Sequence, residues 1–254
     1  HNETPNTTTT TTTTTTTNNS AQNPNQDKQD ADSTAKPAAS PQTPQRTVIE
    51  FCTSIHSELC ADKYHSNPRD VFIRLTEFDD LTTNRGLKTA LQAVRGAQGY
   101  ISLHGSLPCT GGTPWWHMIL FHNKGAEALR QIHIQNMYRM LINFEIVARE
   151  VIKRGGKVSF EWPESSAYWK DADVQAVINR LGLTFVTIHG CSLGWKSLYG
   201  RNGNKGLPIK KPLRIATNSV NKLADFTPCK CPGKAVHPKH APAEGKDTKH
   251  TASY

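Results

Sequence analysis

The chain has 254 residues and a formal net charge of +9, from 30 Lys and Arg against 21 Asp and Glu. This length suffices for one large domain or two small ones, and the basic charge favours nucleic acid over an anionic membrane as a partner. No segment is apolar or long enough for a signal peptide or a membrane span. Six unevenly spaced cysteines favour a reducing compartment over a disulfide framework. We therefore expect a nuclear or cytoplasmic protein without a membrane partner.

The N-terminal region, residues 1–45, is predicted to be disordered. It contains an unbroken threonine run at 7–17, followed by Asn, Gln, Ser, Ala and Pro. Such a composition cannot bury enough apolar surface to offset the entropy cost of ordering the chain. The chain begins with His1 rather than Met, which is consistent with a fragment or a piece of a polyprotein.

The rest of the chain alternates apolar runs with helical patterns. Strands are predicted at 47–52, 70–75, 99–104, 157–161, 184–189 and 214–217, and helices at 87–96, 127–153 and 171–181. This alternation predicts an α/β fold over 46–224, a Rossmann-like three-layer sandwich with a mostly parallel sheet. A small basic appendage rich in Cys and His follows at 225–254. Ligands of such sheets bind beyond the carboxyl ends of the strands.

A cysteine-containing turn follows the third predicted strand. Cys109 lies after Pro108 and before a Thr-Gly-Gly segment. Backbone N–H groups in such a turn can lower the pKa of a thiol and expose the nucleophilic thiolate. A buried structural cysteine is the alternative, but turn residues are unusual neighbours in a packed core. Glu161 closes the fourth predicted strand, so both side chains are expected in one crevice as catalytic groups.

Further candidates are a carboxylate, two aromatic residues and two lysines. A partly desolvated Glu161 could carry a proton or bind a base edge, and a helix cap is the alternative. Trp115 and Trp116 suit base stacking, although such residues are more often core or surface aromatics. Lys210 and Lys211 suit phosphate binding, or else they are solvated edge charges that block strand pairing.

The C-terminal appendage carries the ligand types of a structural zinc site. The four candidate ligands are Cys229, Cys231, His237 and His240. Two cysteines and two histidines match a zinc ligand set, although the Cys-x-Cys spacing is tighter than in the usual finger. Cys191 or His189 could replace one of them. A basic tail with incidental Cys and His is the alternative.

The order of these motifs resembles the DNA (cytosine-5) methyltransferase family over roughly residues 47–218. Pro108-Cys109 resembles the family's Pro-Cys loop, and Glu161 resembles the Glu of its Glu-Asn-Val segment. Residues 208–211 (PIKK) resemble a degenerate Pro-Gln-Arg-Arg stretch. The chain also resembles segments of mobile-element (retrotransposon) polyproteins of dinoflagellates.

The methyltransferase resemblance implies a Rossmann-like transferase that binds S-adenosylmethionine and acts on DNA more readily than on RNA. It implies that Cys109 attacks C6 of a flipped-out cytosine and that Glu161 contacts its N3. The residues it implies for the cofactor are Phe51, Glu77, Asp79, Asp80 and Pro108. The family's glycine turn after the first strand is replaced here by residues 51–55 (FCTSI).

Two other functions compete with this interpretation. The missing glycine turn and the basic tail are typical of a non-catalytic nucleic-acid-binding domain on a degenerate methyltransferase scaffold. A Cys-dependent hydrolase that pairs Cys109 with His104 or His117 is the third hypothesis.

Overall fold

The computed structural model describes residues 46–57 and 67–251, and the predicted disordered region 1–45 lies outside them. Six strands form one sheet in the order β2-β1-β3-β4-β6-β5. The strands are β1 (Arg46–Thr53), β2 (Val71–Thr76), β3 (Tyr100–Gly105), β4 (Lys157–Pro163), β5 (Thr184–His189) and β6 (Pro212–Thr217). All six lie close to their predicted positions.

The sheet is mixed rather than mostly parallel, which corrects that part of the prediction. β1 pairs in parallel with β2 and β3, and β3 pairs in parallel with β4. β6 runs antiparallel to both of its neighbours, β4 and β5. Only a short 3-10 turn, Gly190–Leu193, interrupts the connection from β5 to β6. Because parallel neighbours require a long crossover and antiparallel neighbours do not, this connection allows β6 to return beside β5. The α/β class is confirmed.

The helices are α1 (Asn84–Gly96), α2 (Trp115–His122), α3 (Glu127–Lys153), α4 (Ala172–Arg180), α5 (Val220–Phe226) and α6 (Lys246–His250). The sequence predicts α1, α3 and α4 within a few residues. It does not predict α2, whose apolar sequence lacks a polar face, nor α5 and α6, which are too short to show a period. Within the described ranges, no helix combines the length and the apolar character that crossing a bilayer requires.

The main core lies between the sheet and the helices α1, α3 and α4. Its strand residues include Phe51, Phe160 and Trp162, all almost fully buried. Phe144 of α3 lies between two of these rings, with centroid separations of 5.4 Å to Phe51 and 5.7 Å to Phe160 in edge-to-face geometry. Such aromatic contacts stabilise the core beyond the area they bury. They hold the carboxyl ends of β1 and β4 against one helix.

A topological switch point lies between β1 and β3. The chain continues from β1 to β2 on one side, and then returns through α1 to β3 on the other side of β1. In open α/β sheets ligands bind in the crevice at such a point, outside the carboxyl ends of the strands. The backbone N–H of Ser106 donates to the Phe51 carbonyl at 2.9 Å, so the two chain segments leave the sheet side by side.

Candidate active site and a Cys/His cluster

The Cys109 loop leaves the carboxyl end of β3 and is anchored to β4. The indole N–H of Trp162 donates to the Leu107 carbonyl at 2.8 Å, two residues before the cysteine. The Gly112 N–H donates to the Cys109 carbonyl at 3.0 Å and closes the turn. Because Trp162 follows Glu161 in β4, this anchor brings the loop toward the glutamate. The Cys109 thiol and the Glu161 carboxylate are within electrostatic range of each other.

Glu161 is a buried carboxylate with an unsatisfied oxygen. Its Oε2 atom is buried and has no hydrogen-bond partner among the described residues. Burial raises the pKa of Glu161 to about 7, against the opposing effect of the Lys211 charge. A carboxyl with such a pKa is present both as donor and as acceptor near neutral pH, which is what proton transfer at that pH requires.

The Cys109 thiol is half-buried, and its pKa is raised rather than lowered, contrary to the sequence-based expectation. Burial is the main cause, and the negative charge of Glu161 is the second. A backbone hydrogen bond and the Lys211 charge act in the opposite direction. Since a neutral Glu161 no longer repels a thiolate, protonation of the glutamate favours ionisation of the cysteine.

Lys211 lies between the two catalytic candidates and the C-terminal segment. Its Nζ atom donates to the Thr251 carbonyl at 2.7 Å and lies 5.6 Å from the centre of the Trp195 ring. Burial lowers the pKa of Lys211, while Glu161 and Cys109 both raise it. The side chain thus acts as a cation for these two groups, whereas its neighbour Lys210 is exposed.

Tyr168 is a polar group of this site that the sequence analysis did not single out. Its hydroxyl is buried without a hydrogen-bond partner in the described part of the chain. Burial raises the pKa of Tyr168 to about 12, and the charge of Cys109 adds to the effect. A Cβ atom on Gly111 would overlap this hydroxyl, and one on Gly112 would lie 2.8 Å from the ring. The paired glycines are therefore a signal in the sequence for a close neighbour.

A basic cleft of about 370 Å³ borders the same loop at Gly112. Its lining includes the basic residues Arg130, Lys170 and Arg214, the acidic residue Glu164, which lies 3.7 Å from Arg214, and His117, Trp116 and Trp169. Trp116 is buried and donates its indole N–H to the Thr110 carbonyl, so it supports the loop, whereas Trp115 is 58% exposed. The sequence analysis missed the three basic residues Arg130, Lys170 and Arg214, which are far apart in the chain.

A second cleft, also of about 370 Å³, lies at the carboxyl ends of β1 and β2. Of the predicted cofactor residues, Glu77 and Asp80 line it together with Thr53 and Ser54. Cys52 lies near the end of β1, where the pairing with β2 is irregular, and has a φ angle of 62°, so the strand reaches the left-handed region there without glycine.

The remaining predicted cofactor residues, Phe51, Asp79 and Pro108, do not line this cleft. The Asp79 carboxylate accepts from the Thr76 N–H at 2.7 Å and caps a short 3-10 turn. Phe51 is a core residue, and Pro108 is half-buried in the cysteine loop. Glu77 and Asp80 are therefore the acidic residues that could hold a ligand here.

The two histidines considered for a hydrolase have other environments. His104 Nδ1 lies 2.9 Å from Ser159 Oγ, which also accepts from Lys222 Nζ at 2.7 Å. Burial lowers the pKa of His104 to about 3, so it is neutral. His117 lines the basic cleft. Within residues 46–57 and 67–251, no hydrogen bond joins either imidazole to the Cys109 sulfur.

The structure also brings together four Cys and His side chains that could hold a metal ion. They are Cys191, Cys231, His237 and His240, whose ligand atoms all lie within 4.8 Å of one another. Cys191 thus replaces Cys229, which was predicted as a ligand. The Cys229 sulfur instead lies 3.5 Å from the Asp225 carbonyl oxygen, because the residue directly follows the turn that ends α5.

The region around Cys109 and Glu161 has features of a ligand site. Cys109 follows β3 and Glu161 lies near the carboxyl end of β4, and the two side chains interact electrostatically. The arrangement includes an unsatisfied carboxylate oxygen and a basic cleft, which are features of ligand sites. No protein-family model, no curated protein and no solved structure matches this chain.

Proposed function

We propose that this protein is a methyltransferase-like enzyme that acts on cytosine in nucleic acid, with Cys109 as the nucleophile and Glu161 as the proton-carrying partner. The observation that carries the proposal is the unsatisfied Glu161 Oε2 atom beside Cys109. A buried polar atom without a partner costs free energy, so it is expected where a ligand supplies the partner. The N3 atom of cytosine accepts a hydrogen bond, which a protonated Glu161 can donate.

The second cleft, at the carboxyl ends of β1 and β2, is compatible with an adenosyl ligand. The strand order β2-β1-β3-β4 with its reversal beside β1 is that of doubly wound, Rossmann-like sheets, which bind nucleotides at this point. An acidic residue after the second strand suits ribose hydroxyl groups, and Glu77 has this position. Asp80, Thr53 and Ser54 add polar groups, and Leu81 and Met140 add an apolar wall. We propose that these residues hold S-adenosylmethionine.

The chemistry assigned to the protein side chains starts with bond formation. The Cys109 thiolate forms a bond to C6 of the base, and the electron pair of the C5–C6 double bond moves into the ring. A proton donated by Glu161 to N3 stabilises this charge, and C5 becomes nucleophilic. The bound cofactor supplies the methyl group that C5 accepts. As C5 accepts the methyl group, the N3 proton returns to Glu161. Loss of the C5 proton to water then restores the C5–C6 double bond, breaks the S–C6 bond and frees the thiolate.

The basic cleft supports a nucleic-acid substrate. A base within a duplex must leave the stack to reach Cys109, at a cost of about a few kcal/mol. Arg130, Lys170 and Arg214 beside the loop can contact the phosphates that accompany such a base. Trp115, with 58% of its surface exposed, can stack on a neighbouring base. The net charge of +9 favours the same class of substrate.

The experiment that tests this proposal is methylation with a labelled donor. Wild-type protein, Cys109→Ser and Cys229→Ser are incubated with labelled S-adenosylmethionine and with DNA or RNA of matched sequence. We expect label in DNA with the wild type and with Cys229→Ser, and none with Cys109→Ser. Cys229 is the matched control because its thiol lies against the Asp225 carbonyl oxygen, outside the proposed machinery.

A trapping experiment separates the nucleophile from the rest of the site. When fluorine replaces hydrogen at C5, the final proton loss is blocked, so a covalent protein–DNA adduct should survive denaturing electrophoresis. Equal adduct or equal labelling with Cys109→Ser would reject the role of this thiol. Salt-dependent DNA binding without methyl transfer or adduct would instead support the non-catalytic nucleic-acid-binding domain.

A further inference from the structure

We propose that Cys191, Cys231, His237 and His240 form a structural zinc site that fixes the C-terminal segment to the end of β5. This site is independent of the proposed methyl transfer. Cys191 lies in the 3-10 turn directly after β5, and the other three residues lie in the irregular segment after α5. Two cysteines and two histidines are a ligand set that zinc takes in closed, four-coordinate structural sites.

Two of the distances between the ligand atoms agree with tetrahedral zinc. The Cys231 sulfur lies 3.7 Å from His237 Nδ1 and 3.5 Å from His240 Nε2. With Zn–S near 2.3 Å and Zn–N near 2.0–2.1 Å, a tetrahedral S–Zn–N unit places sulfur and nitrogen about 3.6 Å apart. The two imidazole rings lie side by side, with centroids 5.4 Å apart and an interplanar angle of 87°.

Ordinary hydrogen bonding explains this cluster less well. A thiol has one proton and can donate it to only one of the two imidazoles, whereas a thiolate and two neutral imidazoles share a metal ion readily. A hydrogen bond to a residue outside the cluster holds the backbone of Cys231. The backbone N–H of Cys231 donates to His189 Nδ1 at 2.8 Å, and this histidine precedes the turn that carries Cys191. Such contacts orient the ligands of metal sites.

The segment that these ligands hold has few other sources of stability. Residues 229–241 contain no helix or strand. Of the apolar residues that the structure describes in this range, Ala241 is the buried one. Ala241 forms an isolated parallel bridge with Ile209 just before Lys211. A metal ion is a usual means of stabilising a segment that cannot form a core of its own. Beyond it the chain reaches Thr251, whose carbonyl accepts from Lys211.

The first test is the metal content of the full-length protein. The chain is purified without added metal, and zinc is measured by inductively coupled plasma mass spectrometry. We expect about one zinc ion per chain in the wild type and in Cys229→Ser, and near none in Cys191→Ser or His240→Ala. The comparison of Cys191 with Cys229 is decisive because the spacing alone favours Cys229, and only the fold favours Cys191.

A second measurement covers the case in which the variants fail to fold. The wild-type protein is stripped with a chelator and titrated with Co²⁺, which gives strong visible absorption in a tetrahedral site with thiolate ligands. We expect one saturable site and increased protection of residues 229–241 from proteolysis on metal addition. The proposal is overturned by a wild-type protein that binds neither metal, by a Cys191–Cys231 disulfide in peptide mapping, or by equal zinc loss in Cys229→Ser and Cys191→Ser.

Discussion

Replacement of Glu161 by Gln should stabilise the protein, and the gain should grow with pH. The folded state raises the pKa of this carboxyl from its ordinary value of 4.5 to about 7, chiefly through burial. Between these two values the folded chain binds more protons than the unfolded chain. The free energy of unfolding of the wild type therefore falls as the pH rises through this window. Glutamine has no charge at any pH, so it removes this cost.

The size of the effect follows from the shift. Each pKa unit corresponds to about 1.4 kcal/mol, so the shift from 4.5 to about 7 costs about 3 kcal/mol once Glu161 is fully ionised. From about pH 5 to about pH 8 the stability difference between Glu161→Gln and wild type should grow by about 2 to 3 kcal/mol. This comparison cancels any difference between the two side chains that does not depend on pH.

Urea unfolding of both proteins at several pH values measures this difference. Glu145→Gln is the matched control, because Arg180 and Arg149 hold the pKa of Glu145 below its ordinary value. For that variant the stability difference should be constant over the same pH range. A constant or shrinking difference for Glu161→Gln would refute the claim that Glu161 is held in an unfavourable, ligand-ready environment.

Two further predictions concern the neighbours of this carboxylate. Gly111→Ala should lower stability by about 1 to 3 kcal/mol, because its Cβ would overlap the Tyr168 hydroxyl. Gly96→Ala, with no atom within 4 Å of the new Cβ, should be neutral or up to about 1 kcal/mol more stable, and equal thermal unfolding of the two variants would contradict this reasoning. Lys211→Met should raise the pKa of Glu161 further, because the lysine charge lowers it. Carbon-13 NMR titration of the glutamate carboxyls checks this, and an unchanged or lower pKa would argue against the contact.

The active-site arrangement combines several features that reduce stability. Glu161 Oε2 and the Tyr168 hydroxyl are both buried without partners in the described part of the chain. Natural proteins tolerate such costs mainly where function requires them. These two of the five such atoms in the described residues interact electrostatically with Cys109, which is consistent with a ligand that satisfies them on binding. Glu161→Gln and Tyr168→Phe, which keep the side-chain volume, should stabilise the fold and impair the proposed methyl transfer together.

Much of the fold could be predicted because each long element has a local pattern. The six strands have runs of apolar residues bounded by turns, and α3 has a helical period that ends at Gly155. The pairing of these strands could not be predicted from local patterns. β6 inserts antiparallel between β4 and β5 after residues 190–211, and no local pattern records that position.

In the candidate site, too, some features follow from local sequence patterns and others only from tertiary contacts. The sequence by itself determined that Cys109 follows a strand, since position after a strand is a local property. Glu161, predicted to close β4, lies within that strand and pairs with Ile215 of β6. Only the tertiary structure decided that Lys211 interacts electrostatically with both Cys109 and Glu161. It also decided that Cys191, rather than Cys229, completes the Cys/His cluster. Electrostatic and metal-ligand contacts depend on distance in space, and the 39 residues between positions 191 and 231 carry no signal of that distance. Packing of the chain around β5 and β6 creates these contacts.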